Sequence, residues 1–277
     1  MKIKALYEWT WIFSEAVGKA YGQYVKGEDV SVKTLSSTEP FFYFLKESQL
    51  ETNSKGGLFS GSHQTNEIYK IDFNPNKTWG KEWTPPPYKE YFGKKSSVES
   101  DKPIIVINNK YNPEWDGTPY NFLPLDFLRE FFEKFSETYQ IYYIRYTGGK
   151  HSDSDKGYYD DVGAYTKEDY NDYEIINDFK NVITIYDYMD ENDCGFNESQ
   201  LMIMSKAKHL ISVNGGNAVL SSYFGKDVMI YGHSNCKSTD RGIWKTDSWL
   251  KELSGANIIG HLHWAQMLND CEKRWLD

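Results

Sequence analysis

Two things are scarce in this chain: long apolar runs and positive charge. Met1 to Val17 contains Lys2 and Lys4, but Glu8 and Glu15 interrupt its apolar residues, so neither a signal peptide nor a spanning helix is expected there. No other stretch approaches the roughly 20 apolar residues that a membrane helix needs. Against 40 Asp and Glu stand 31 Lys and Arg, a formal net charge of -9. Non-specific nucleic-acid affinity comes largely from clustered Lys and Arg, so no nucleic-acid partner is expected, and no membrane insertion. Cysteine is sparse too. Cys194, Cys236 and Cys271 are odd in number and share no metal-like spacing, which reads as free thiols in a reducing compartment and places the protein in the cytoplasm of whatever cell hosts it.

Several chemical signatures are missing as well. There is no GxGxxG, no GxxxxGK[ST] and no GxSxG, which removes the dinucleotide fingerprint, the P-loop and the hydrolase nucleophile elbow. The six histidines include His261 and His263, spaced for one face of a strand, but no partner cluster lies near them in sequence and no metal site is expected. The acidic triplet Asp153-Ser154-Asp155 is the one candidate for a divalent cation. No internal repeat or long low-complexity tract occurs.

What is abundant is aromatic residue: 17% of 277, including 22 Tyr and 9 Trp. Such rings stack on sugars and bases, and equally well fill a core. The length accommodates one large α/β domain or two smaller ones. Residues 1 to 100 are weakly patterned, with a short strand at Ile3 to Tyr7 and an aromatic patch at Pro40 to Leu45. Pro85-Pro86-Pro87 and the polar run Gly93 to Lys102 mark a linker, so an N-terminal lobe of 1–100 and a C-terminal domain of 101–277 are expected.

The second part is regular. Ile104 to Ile107 is a continuous apolar run, as a strand buried on both faces requires. Leu125 to Tyr139 places Phe127, Leu128, Phe131, Phe132 and Phe135 at helical spacing. Strands follow at Gln140 to Arg145, Val182 to Tyr186, His209 to Val213 and Val228 to Tyr231, with helices at Ser199 to Ala207 and Ala218 to Phe224. Alternation of this kind predicts a Rossmann-like, doubly wound α/β domain. Gly148 to Asp172 is acidic and aperiodic, and reads as a loop beside the site. Helices are also expected at Ser248 to Leu253 and Leu262 to Trp275, the last crossing back to the first lobe.

The sharpest local pattern is Leu210-Ile211-Ser212-Val213-Asn214-Gly215-Gly216-Asn217-Ala218, a buried strand that turns on two glycines into a short helix. Such a turn brings backbone N–H groups close to an anion, or it is simply a tight connection without a ligand. Asn217 is a candidate for the helix cap or for ligand contact. The stretch from Gln200 to Gly232, with "ISVNGGN" and "SYFGK", resembles the donor-binding half of GT-B glycosyltransferases of the small bacterial and viral type, distantly similar to the fucosyltransferase and heptosyltransferase groups. "KPIIVINNKYNPEW" at Lys102 to Trp115 looks like the start of the same domain, so the resemblance spans roughly residues 100 to 235. It implies two Rossmann-like domains with a cleft, transfer of a hexosyl or pentosyl group from a UDP- or GDP-linked donor to a glycan or glycoprotein, and no cofactor or metal.

On that resemblance Asn214, Gly215, Gly216 and Asn217 contact the donor's diphosphate and sugar. Arg145, at the end of its strand, is a phosphate clamp or a surface salt-bridge partner. Lys110, after Asn109, neutralises the leaving diphosphate or is a solvated lysine. Tyr186 and Asp187 recognise the base or ribose, or form a plain loop. Inverting transfer needs a general base from the first lobe: Glu8 first, His63 second. Two further readings stay open, a nucleotide-sugar epimerase or hydrolase of the same shape and a non-catalytic glycan-binding module.

Overall fold

The computed structural model describes residues 1–5, 12–53, 83–112, 119–147, 169–232, 251 and 254–276. Two parallel sheets organise them. The first has three strands, β1 (Lys2–Ala5), β2 (Ser31–Leu35) and β3 (Leu50–Asn53), in sequential order. Between β1 and β2 a π-helical turn, Ile12–Val17, leads into α1 (Gly18–Tyr24). Only β1 is legible in the sequence. β2 and β3 are short and half polar, with Lys33 ion-paired to Glu51 across the ladder, so neither shows an apolar run.

The second sheet has six strands: β4 (Ile104–Asn108), β5 (Gln140–Ile144), β6 (Val182–Thr184), β7 (His209–Val213), β8 (Asp227–Tyr231) and β9 (Asn257–His261). Their spatial order is β6-β5-β4-β7-β8-β9, and every pairing is parallel. The α/β class and the doubly wound parallel sheet expected from the sequence are therefore present. Side chains alternate across the strands into two cores. Ile104, Val106, Tyr142, Ile144, Leu210, Val228 and Ile230 face one side, in a cluster continuous with Ile3, Val32, Phe41 and Phe42 of the first sheet's region. Ile105, Ile107, Ile141, Tyr143, Ile211, Val213 and Met229 face the other.

Helices cover both faces. α2 (Tyr88–Lys95) buries Tyr88 and Phe92 and packs on a later helix, α6 (Phe196–Lys206). The run from Gly93 is thus not all linker, since its first three residues close α2. α3 (Leu125–Phe135) buries all five predicted apolar positions on the opposite core, with Asp126 in its first turn and Lys134 in its last, where each charge complements the helix dipole. α4 (Asp172–Ile176) and α5 (Ile185–Asn192) were not expected. The strand predicted to run to Tyr186 ends at Thr184, whose hydroxyl caps α5 while the Asp187 carboxylate returns to the Thr184 N–H, a reciprocal box that stops the strand. α7 (Gly216–Ser222) follows β7.

The last helix, α8 (Trp264–Trp275), corrects an expectation. Among the described residues it packs on α3, β8 and β9 and not on the first lobe. Its buried residues Met267, Leu268, Cys271 and Trp275 belong to the α3 side of the sheet. Trp275 meets Phe131 and Phe135 edge-on and stacks on His209 at 4.4 Å. This apolar stripe has its partner within the second sheet, so crossing over would expose it.

Candidate functional site at the strand-order reversal

The chain enters the second sheet at its centre with β4, winds outward through β5 to β6, then returns to place β7 on the other side of β4. In open α/β sheets the crevice for ligands lies outside the carboxyl ends of the strands at this reversal, because the connections diverge to opposite faces there. In this chain β4 ends in Asn108, followed by Asn109 and Lys110, and β7 leads into Asn214-Gly215-Gly216.

Gly215 has φ +126 and ψ −155, a backbone conformation essentially confined to glycine. A Cβ placed on it would stand 3.5 Å from Lys110 Nζ, so the lysine ammonium reaches across from β4 to lie against the glycine turn. Asn217 does not cap α7, whose N-cap is Gly215 with no side-chain bond; it lines a narrow crevice beside the turn. The crevice also takes Asn108, Lys110, Tyr146, Phe196 and Gln200, and holds about 10 Å³, the room of one water. Asn108 is 1% exposed, and its Nδ2 has no hydrogen-bond partner among the described residues. Gln200 donates to Asn197 Oδ1 at 2.8 Å, and Asn197 donates to Ser37 O at 2.6 Å, which ties this wall of the crevice to the first sheet's region.

Arg145 is placed differently from the exposed clamp that its strand-end position suggested. It is fully buried, with Nε and Nη2 donating to the two oxygens of Asp172 at 2.5 and 2.7 Å. The rings of Tyr170 and Tyr173 flank the guanidinium. Burial works against its charge, but its hydrogen bonds to Asp172, together with the attraction of Asp172 and the neighbouring tyrosine oxygens, outweigh that cost and hold its pKa above the ordinary arginine value. The ion pair present is a buried one, not the surface salt bridge weighed from the sequence. Tyr186 is buried and accepts from Thr147 N and Oγ1 at 3.0 and 3.1 Å, and Asp187 caps α5. Both side chains therefore have tasks inside the fold.

Asn214, Gly215, Gly216, Asn217 and Lys110 are brought together; Arg145, Tyr186 and Asp187 are engaged elsewhere at the carboxyl end of the sheet. Glu8, His63 and the Asp153-Ser154-Asp155 triplet lie outside the described residues. Among the described residues no group of three metal-ligating side chains occurs, and no helix is long and apolar enough to cross a membrane. Asn108 and Gln200 went unrecognised in the sequence. The polar pair Asn108-Asn109 closing an apolar strand was a usable signal for the first; Gln200 lies mid-helix and had none.

No family model and no curated protein matches the chain. Among solved structures it is similar to Escherichia coli ADP-heptose lipopolysaccharide heptosyltransferase II, with 10% identity, 92% of this chain and 79% of that chain covered, and a TM-score of 0.40. It is similar also to the E. coli heptosyltransferase WaaC with ADP, with 12% identity over 95% and 77% of the two chains and a TM-score of 0.41. A third is the β-Kdo 2,7 transferase KpsC of Thermosulfurimonas dismutans, with 11% identity over 84% and 78% and a TM-score of 0.28. At these TM-scores the chain's own strand order and side chains carry the functional reading.

Proposed function

We propose that the protein is a glycosyltransferase that takes a sugar from a nucleotide-sugar donor, whose diphosphate lies across the β4–β7 reversal. The observation that carries this reading is the meeting of the Lys110 ammonium with the Gly215 turn beside the buried Asn108 Nδ2, which has no partner among the described residues. A cation, a backbone open to close approach and a donor without an acceptor converge where doubly wound sheets bind ligands. Departure of a nucleoside diphosphate builds negative charge on its oxygens, and a preorganised ammonium lowers the cost of that charge without reorganising at the moment of reaction. The crevice has room for one water, so the nucleotide lies over it and not within it.

For inverting transfer the acceptor hydroxyl must lose a proton, and Glu8, with His63 second, is the proposed base. A glycan or glycoprotein is the proposed acceptor, and the donor transfers a hexosyl or pentosyl group. The nucleotide panel to test contains UDP and GDP, and also ADP, the ligand named in one of the E. coli structures. The protein is proposed to work in the cytoplasm and without a metal.

The test is calorimetric titration with UDP, GDP, ADP, CMP and their sugar conjugates, followed by product analysis with glycan acceptors. Binding of one nucleotide that is lost in Gly215→Val, with a glycosylated product, supports transfer. Free sugar or an epimer as the only product moves the assignment to a hydrolase or epimerase, and sugar binding without any nucleotide affinity to a glycan-binding module.

A further inference from the structure

A closed chain of buried hydrogen bonds runs from Asp172 to the end of β4. Asp172 Oδ2 accepts from Arg145 Nε and from Tyr143 Oη, both at 2.5 Å, and Oδ1 accepts from Arg145 Nη2 at 2.7 Å and from Tyr173 N at 3.0 Å. A carboxylate held by a guanidinium only accepts, so the Tyr143 hydroxyl must donate to it. That hydroxyl is then left to accept, and Asn109 Nδ2 donates to it at 2.7 Å. The other end of the same amide accepts from Leu123 N at 3.0 Å, a backbone N–H that can only donate. Every link has one permitted direction, so the Asn109 amide is locked in orientation from both ends. Arg145, Asp172, Tyr143 and Asn109 are each no more than 1% exposed, in surroundings where such a network is stiff and a broken link is costly.

Asn109 stands between Asn108 and Lys110 at the end of β4, and all three line the crevice. Its backbone N–H is held in turn by Ile144 O at 2.8 Å. We infer that Tyr143 and Asp172 are positioning residues for the nucleotide site: through Asn109 they hold the Asn108 amide and the Lys110 ammonium at the reversal. This inference rests on the proposed donor site and adds to it two residues on the far face of the sheet, neither of which touches the ligand.

The test uses the full chain, with Tyr143→Phe and Asn109→Ala alone and combined. The first readout is the Kd for whichever of UDP, GDP and ADP the wild type binds. The second needs no ligand and is amide hydrogen exchange at Asn108–Lys110 compared with β8. Tyr143→Phe is expected to weaken binding roughly tenfold, the effect of one buried hydrogen bond lost. It is also expected to speed exchange at Asn108–Lys110 while β8 keeps its protection. The double variant is expected to bind no more weakly than Asn109→Ala, because both substitutions cut the same link. Wild-type affinity in Tyr143→Phe, losses that add in the double variant, or exchange that rises equally in β8 each overturn the inference while leaving the donor site standing. No nucleotide binding by the wild type removes the donor site, and the inference falls with it.

Discussion

Arg145 and Asp172, 27 residues apart in sequence, form a two-point ion pair in which neither side chain is exposed at all. Two opposite charges in that position offset each other's desolvation only while both are present. Removing either one leaves the other charged and buried. Arg145→Ala is therefore expected to destabilise the fold by about 3–5 kcal/mol, read from urea unfolding at neutral pH. A loss below about 1 kcal/mol would mean that solvent reaches the pair.

Lys110 is the opposite case. It is half-buried at the glycine turn, so its ammonium keeps part of its hydration. Lys110→Ala should shift stability by less than about 0.5 kcal/mol. The same change should weaken nucleoside diphosphate binding by roughly tenfold to a hundredfold, the range for one charge-assisted hydrogen bond. Titration calorimetry and thermal unfolding on the same preparation separate the two effects. Unchanged affinity would remove Lys110 from the site.

His209 begins β7 at the edge opposite the crevice, stacked on Trp275, with neither ring nitrogen hydrogen-bonded among the described residues. Burial and the neighbouring Lys208 push its pKa down to about 4, against a weaker opposing pull from Asp227. The fold therefore prefers the neutral ring, whereas the unfolded chain takes up a proton near pH 6.5. This contribution to stability is fully present above about pH 6.5, falls as the pH drops toward 4, and is level below that. The slope amounts to roughly 2–3 kcal/mol over the window. His209→Phe keeps the stack and removes the titration, so its unfolding free energy should vary less between pH 7 and pH 4.5 than that of the wild type. Parallel pH profiles for the two proteins would refute the assignment.

Trp275 anchors α8 against Phe131, Phe135 and His209, and its carbonyl accepts from the buried Tyr139 hydroxyl. Trp275→Ala is expected to cost about 3–5 kcal/mol through the cavity it leaves. Nucleotide affinity measured well below the transition should be unchanged, since α8 packs on β8 and β9, away from the reversal.

Much of the second sheet was legible in one dimension. Ile104 to Ile107 and His209 to Val213 announce strands buried on both faces, and the five apolar positions from Phe127 to Phe135 announce α3, because burial imposes periods of 2 and 3.6 on the chain itself. The Gly215-Gly216 turn was legible for a related reason, since a backbone at φ +126 admits little except glycine. Where burial is partial the signal fades, so the half-polar β2 and β3 passed unread.

What tertiary structure alone decided is which polar groups meet. Arg145 at a strand end suits a phosphate clamp as well as an ion pair, and the outcome was settled by Asp172, brought to it by the packing of α4 from a segment without periodicity. The same holds for Lys110 against Gly215 and for the run from Asp172 through Tyr143 to Asn109. Hydrophobic burial leaves a period along the sequence because it acts on whole faces. A hydrogen bond between single atoms on different strands leaves none, and only the register of the folded sheet brings its partners together.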